Sequence, residues 1–124
     1  MNRSIEHLST GTRIRVAFYA IAAVFGAVLT ARFNAQWSSQ RGGFDVAEYV
    51  RAGFENSAAS SFGVDLIVAA VVGLVFMIGE GRRLRIRSTA LFVVTTFVLA
   101  FAFSFPAFLA VRELRIARMG SLNP

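Results

Sequence analysis

The sequence contains no cysteine and only one histidine. The absence of cysteine excludes disulfide bonds, thiolate nucleophiles and cysteine-based metal centres. The histidine, His7, lies in a short polar stretch far from any apolar run, so we interpret it as a solvated residue of the N-terminal tail. We therefore expect neither a metal nor a cofactor, and no haem bound through an intramembrane histidine.

Charged residues are also scarce, at 16% of the 124 positions, and all thirteen basic residues are arginine. The arginines fall in short groups beside apolar runs, whereas nucleic-acid binding needs them gathered on one accessible face. The net charge of +6 consequently does not predict a nucleic-acid partner. Hydrophobic residues make up 56% of the chain, too many for a soluble domain of this length. These proportions predict one membrane domain over 1–124.

Three long apolar runs predict an all-α protein with three transmembrane helices, at about 14–32, 62–80 and 88–111. In the first run, Ala22 and Gly26 place small residues on one helix face, which allows a neighbouring helix to approach closely.

A secretory signal peptide is the competing interpretation of the first run, because a basic start precedes an apolar core. Arg32 follows that core without a clean small-residue cleavage site. We therefore expect a retained transmembrane helix.

The segment 33–61 is the only sizeable part that we expect outside the membrane. Trp37 suits the headgroup layer, and Gly42-Gly43 breaks the chain. Apolar residues then recur at helical spacing, which predicts a short amphipathic helix at about 44–57 in the membrane interface. We interpret this helix as a connector resting on the membrane; a lid or docking surface is the alternative.

The second span has an acidic residue near each end. Ser60 or Ser61 is a suitable N-cap, which places Asp65 in the first turn, where the helix dipole stabilises a carboxylate. Glu80 opposes the dipole at the other end and needs a cation, for which Arg83 is a near candidate. Roughly 22 Å of helix separates the two acids, so they cannot form an acid–base pair. A proton- or cation-handling role is the alternative to these structural roles.

Four arginines crowd the short loop 81–88, namely Arg82, Arg83, Arg85 and Arg87, and such a loop is typical of the cytoplasmic side. With three spans, the N-terminus lies on the same side, while the 33–61 loop and the C-terminus lie outside. The arginine tally nearly ties, at seven against six, although the net charges are +5 and +1. Arg82 and Arg83, with the two acids of the span, are therefore candidate functional or topological charges.

A phenylalanine stripe is predicted on the third span, formed by Phe97, Phe101, Phe105 and Phe108. We interpret the stripe as facing lipid or packing against a partner. The alternative is that it binds a flat apolar ligand such as a quinone, carotenoid or other isoprenoid.

Proline interrupts the same span near its outer end. Pro106 frees the carbonyl of Ala102 and is expected to kink the helix, with Ser104 as a local hydrogen-bonding substitute. The chain is expected to leave the membrane at Arg112-Glu113, and 120–124 to form a loose tail.

Short motifs recur in order from the first span onward: Phe33-Asn34-x-Gln36-Trp37, Gly42-Gly43-Phe44-Asp45, Asn56-x-Ala58-Ala59-Ser60-Ser61, Val64-Asp65-Leu66, Glu80-Gly81-Arg82-Arg83, and Phe105-Pro106-x-Phe108-Leu109 followed by Arg112-Glu113. In this combination the chain resembles a bacterial membrane family catalogued as domain of unknown function 2834. The resemblance implies a small three-helix integral protein of the bacterial inner membrane. It implies no activity and no ligand.

The expected function is that of a small non-enzymatic membrane protein, an accessory or assembly subunit that packs against a larger membrane complex. The sequence has small-residue faces and an aromatic stripe but no nucleophile–base constellation or phosphate loop. Two alternatives stay open: an oligomeric transporter or channel component, and an isoprenoid-, quinone- or lipid-binding protein. Expected partners are membrane lipids and either another protein or further copies of this chain.

Overall fold

The computed structural model describes residues 8–122, with side chains through Gly120, so the interpretation of His7 lies outside the described residues. Residues 8–122 form five helices and no strand: α1 (Thr10–Arg41), α2 (Val46–Ala52), α3 (Ser57–Arg83), α4 (Thr89–Val98) and α5 (Phe101–Leu122). The all-α prediction is confirmed. By length and composition, α1 and α3 are candidate membrane spans, and α4 is a shorter apolar helix.

Helix α1 is longer at both ends than the predicted span 14–32. It begins after Ser9, whose hydroxyl accepts a hydrogen bond from the Thr12 backbone N–H at 3.2 Å. It ends at Gly42, which has a left-handed φ of 72° and donates its N–H to the Ser38 carbonyl. The predicted break at the glycines is confirmed. Residues 33–41 are helical rather than loop because no glycine or proline ends the helix earlier.

Helix α2 confirms a short helix within 44–57, although it is only seven residues long. Asp45 caps it, because its Oδ1 accepts hydrogen bonds from the backbone N–H groups of Ala47 and Glu48, at 3.0 and 3.3 Å. Tyr49 holds α2 against α1, because its hydroxyl donates to Asn34 Oδ1 at 2.9 Å and its ring meets Trp37 edge-on. Helix α2 therefore rests on the last turns of α1.

Helix α3 begins five residues before the predicted start of the second span. Asn56 is its N-cap, with Oδ1 accepting from the Ala59 N–H at 2.9 Å. The predicted cap at Ser60 or Ser61 is wrong, because asparagine caps as well as serine does and lies upstream of both. Asp65 consequently lies in the third turn of α3, about 12 Å from its start, and not in the first.

The predicted third span, 88–111, is not one helix. The helix breaks at Leu99 and Ala100, whose N–H groups both donate to the Thr95 carbonyl, at 2.9 and 3.0 Å. Pro106 lies inside α5, so the interruption comes before the proline rather than at it. Gly120 belongs to α5 rather than to a loose tail.

Helix α5 folds back on α4 as an antiparallel hairpin. The hydroxyl oxygens of Thr96 and Ser104 are 2.7 Å apart, and the ring centroids of Phe92 and Phe108 are 5.7 Å apart. Each pair is symmetric about Ala100. Ser104 is fully buried in this contact. Its hydroxyl therefore joins the two arms of the hairpin.

Helix α5 also packs antiparallel along α1. Gly26 lies against the backbone of Ala102, and a Cβ added to this glycine would come 2.8 Å from the Ala102 carbonyl carbon. Arg15 meets Glu113 further along the same pair of helices. The close approach predicted from the small residues of α1 is confirmed.

The buried apolar side chains lie toward one end of the molecule. They are Ala23, Met77, Leu84, Ile86, Phe92 and Phe108. No residue from Val24 to Val72 is buried. We call residues 27–72 the open half, and residues 10–26 together with 73–120 the packed half. The hairpin of α4 and α5 accounts for the difference, because it fills only the packed half.

Candidate functional site

Glu80, at the end of α3, binds two arginines. Arg83 donates from Nε and Nη2 to the two carboxylate oxygens, at 2.7 and 3.0 Å. Arg112 of α5 donates from Nε to Oε2 at 2.6 Å. The Arg83 partner predicted from the sequence is present. Arg112 was not predicted, because it lies 32 residues further along the chain and only the hairpin brings it back.

The ion pairs continue from Arg112 to a second helix. Arg112 Nη1 lies 3.7 Å from Glu113 Oε1, and Arg15 Nε donates to Glu113 Oε2 at 3.1 Å. The side chains of Glu80 and Arg112 are only 15% and 23% exposed. We call Arg15, Glu80, Arg83, Arg112 and Glu113 the charge network. It connects α1, α3 and α5 at the packed end.

The charge network corrects the predicted threading. Arg112 binds Glu80, and Arg115 Nε donates to the Leu84 carbonyl at 2.8 Å. The C-terminal segment therefore lies beside the 81–88 loop, and the prediction that the two lie on opposite sides is wrong. The physical reason is the helix break at residues 99–100, which reverses the direction of the chain.

Asp65 is isolated in the open half. Its side chain is exposed, and no hydrogen bond or ion pair joins it to another residue of the described part of the chain. Arg32 of α1 is likewise exposed and unpaired within residues 8–122. Glu80 and Asp65 thus differ in their surroundings, since one carboxylate is held by two cations and the other by none.

The four phenylalanines do not form the predicted stripe, because the helix break separates Phe97 from the rest. Phe97 is 76% exposed on α4, whereas Phe108 is fully buried in the core. Phe101 and Phe105 stack with centroids 5.2 Å apart, and a Cβ on Gly73 would meet the Phe101 ring at 2.5 Å. These two rings line an apolar cavity of about 410 Å³ beside α3.

A basic groove of about 860 Å³ lies where α3 turns into α4. Four arginines line it: Arg82, Arg85, Arg87 and Arg115. The turn is tight because Gly81 packs on Thr89. A Cβ added to Gly81 would lie 2.8 Å from the Cβ of Thr89. The first three arginines were recognisable in the sequence as a topological signal. Arg115 was not, because only the folded hairpin places it there.

Within residues 8–122, no three histidine, aspartate or glutamate side chains come together in a way that could hold a metal ion.

The family described as Protein of unknown function DUF2834 matches residues 18–114. The match begins within α1 and extends into α5 as far as Leu114, so it includes Asp65 and all of the charge network except Arg15. Comparisons with curated proteins and with solved structures gave no match.

Proposed function

The chain belongs to the DUF2834 family, whose description assigns no activity, and we propose that it is a non-enzymatic accessory or assembly subunit. Its open half binds another membrane-embedded protein of a larger complex. The observation that carries the proposal is Asp65, an exposed and unpaired carboxylate on a candidate membrane span.

The position of Asp65 makes an unpaired carboxylate costly. Gly73 packs on Phe101 beside the break of the hairpin, and Asp65 lies eight residues from it, about 12 Å along α3. Half of a hydrocarbon core is about 15 Å, so a span centred near the break places this carboxylate at the core's edge. Charges at such depths pair with another group or face a polar surface.

Arg32 reaches a similar layer from α1. It lies six residues beyond Gly26, about 9 Å along the helix, and two residues before Asn34, which holds α2. Two unpaired charges of opposite sign therefore lie near one level of the open half. A partner with a cation for Asp65 and an anion for Arg32 would satisfy both.

The remaining surface of the open half suits a helix partner. Along α3 its exposed apolar side chains are Phe62, Val64, Leu66, Ile67, Val68, Val71 and Val72. Lipid can cover such side chains, but lipid tails offer nothing to either charge. A transmembrane helix with complementary polar groups offers both.

We further propose that the packed end faces the cytoplasm of a bacterial inner membrane. Nine arginines of residues 8–122 lie at or beyond that end: Arg13, Arg15, Arg82, Arg83, Arg85, Arg87, Arg112, Arg115 and Arg118. Only Arg32, Arg41 and Arg51 lie in the open half. Arginine bias of this kind sets orientation. The near tie of seven arginines against six holds only if the C-terminal arginines lie on the other side.

Photo-crosslinking in native membranes tests the association. A benzophenone side chain at Leu66, near Asp65, is expected to form an adduct with another membrane protein, and Asp65→Asn is expected to reduce it at least several-fold. A benzophenone at Phe97, exposed in the packed half, is the control and is expected to label mainly lipid. Equal lipid-only labelling at both positions overturns the proposal. An adduct with a second copy of the chain would show that the open half forms a homo-oligomer and does not bind a larger complex.

The apolar cavity beside Phe101 and Phe105 supports a second candidate, an isoprenoid- or quinone-binding protein. Organic extraction of the purified protein, followed by absorbance and mass spectrometry, tests this candidate. A stoichiometric isoprenoid that is lost in Gly73→Ala supports it, because the added Cβ would displace the Phe101 ring. An empty extract from the unaltered protein removes it.

A further inference from the structure

We propose that the basic groove is a binding site for the headgroup of an anionic phospholipid. This proposal goes beyond the association of the open half and does not depend on it, since the groove lies in the packed half. It stands on three observations: the charges that line the groove, its apolar wall, and the backbone of Arg85.

The charges of the groove are all positive. Arg82, Arg85, Arg87 and Arg115 line it, and no acidic side chain does. Within residues 8–122, no carboxylate pairs with the first three. Arg115 donates a hydrogen bond from Nε to the Leu84 carbonyl, so the N–H groups of its Nη1 and Nη2 are available to a ligand. A phosphate diester would therefore find donors in a site where no internal anion competes.

The charge network shows why these arginines differ from their neighbours. Arg83 and Arg112 are occupied by Glu80, on the other side of the end of α3. The adjacent Arg82 and the loop arginines have no such partner among the described residues. Neutralisation is thus selective, and the groove keeps its full positive charge.

The wall of the groove is apolar. Ile78 of α3, with Val93 and Val94 of α4, continues the groove away from the 81–88 loop, which in the proposed orientation is toward the membrane interior. A free inorganic anion would make no favourable contact with these apolar side chains. A glycerophospholipid would, because its acyl chains can lie along the two helices while its phosphate contacts the arginines.

Arg85 adopts a backbone conformation that arginine disfavours. Its φ is 53°, in the left-handed region, and it is the only non-glycine residue with positive φ in the described part of the chain. The turn that it forms is closed by a hydrogen bond from the Ile86 N–H to the Gly81 carbonyl at 2.8 Å. Glycine is the usual residue at this position of a helix end. An arginine there projects a cation into the groove at a conformational cost that glycine would avoid.

The test uses the purified full chain in mild detergent, titrated with phosphatidylglycerol or phosphatidylcholine, with bound lipid counted by native mass spectrometry. The unaltered protein is expected to retain phosphatidylglycerol preferentially. Arg87→Gln is expected to weaken that binding roughly fivefold, and the triple variant Arg82→Gln, Arg85→Gly, Arg87→Gln roughly a hundredfold. Arg51→Gln, which removes an equal charge from the open half, is the matched control for the single variant.

Two further arms separate lipid from free anion and binding from folding. Val94→Ser is expected to weaken phosphatidylglycerol binding without a change of net charge, and inorganic phosphate at the same concentration is expected not to displace the lipid. The Arg85→Gly variant should fold, because glycine accepts the left-handed backbone. Equal loss in Arg51→Gln and Arg87→Gln, equal retention of both lipids, or displacement by inorganic phosphate overturns the proposal.

Discussion

The backbone of Ala102 lies directly against Gly26, and the two residues belong to helices that are adjacent in space but 76 positions apart in the chain. Pro106 has no N–H to donate to the Ala102 carbonyl, so this carbonyl lacks its ordinary helical partner. The missing Cβ of the glycine lets α1 approach at this point. Helix α1 and the hairpin are therefore in direct backbone contact at Gly26 and Ala102.

We expect Gly26→Ala to loosen α5 from α1. The added Cβ would lie 2.8 Å from the Ala102 carbonyl carbon, and overpacking of this kind costs about 1–3 kcal/mol. Thermal unfolding in mild detergent measures the loss. Gly79→Ala in α3 is the control, because a Cβ there has nothing within 4 Å and alanine favours the helix. If both variants unfold at the same temperature, the close contact does not contribute to stability.

We expect Glu80→Gln to destabilise the packed half. Two arginines would lose their shared carboxylate, and breaking one side of a partly buried, hydrogen-bonded pair costs about 1–3 kcal/mol. Glu48→Gln breaks the exposed Arg41–Glu48 pair and should cost less than about 1 kcal/mol. Unfolding in detergent at low ionic strength compares the two variants. A loss for Glu48→Gln as large as that for Glu80→Gln would contradict the central position of the charge network.

The hydroxyl contact between Thr96 and Ser104 is expected to be worth about 1 kcal/mol, as for hydrogen bonds inside membrane proteins. Thr96→Val and Ser104→Ala should each destabilise the fold, and the double variant should lose less than the sum of the two. Ser39→Ala, at an exposed hydroxyl, controls for the loss of a serine. Strict additivity in the double-mutant cycle would show that the two hydroxyl groups do not interact.

The hairpin itself is testable with a disulfide, and the absence of native cysteine makes the experiment clean. We expect Thr96→Cys combined with Ser104→Cys to crosslink under mild oxidation, because their hydroxyl oxygens are 2.7 Å apart. In one continuous helix the two positions would be about 12 Å apart and could not crosslink. Phe97→Cys with Phe105→Cys has the same eight-residue spacing and should stay reduced. Gel mobility before and after reduction reports the result, and absence of the Thr96–Ser104 crosslink would restore the three-span prediction.

Sequence reasoning identified the helices whose ends carry a local signal. Gly42 ends α1 because its left-handed backbone is a property of glycine itself, and Asp45 is a local cap for α2. The predicted start of α3 is too late because asparagine caps a helix as well as serine does, and Asn56 precedes Ser60 and Ser61. Capping residues and glycines in the sequence thus predict that these helices exist more reliably than they predict the residues at which the helices begin and end.

The break at Leu99 and Ala100 carries no such signal. It lies in an unbroken apolar run without glycine, and the nearest proline is six residues away. Contacts such as Phe92 with Phe108 hold the hairpin, and they exist only after the chain has reversed. The same applies to the charge network. The position of Glu80 at the C-terminal end of α3 predicts that it needs a cation, because the helix dipole opposes a carboxylate there. Arg112 reaches Glu80 only because the chain reverses at residues 99–100.

The reversal at residues 99–100 also bears on biogenesis. In the proposed threading, the arginines at 112, 115 and 118 never cross the bilayer, and the insertion machinery exports only those at 32, 41 and 51. Helices α1 and α3 would enter together as one pair, with α2 as the exported connection. The hairpin of α4 and α5 would then enter from the side of synthesis, to half the membrane depth, with no charge translocated.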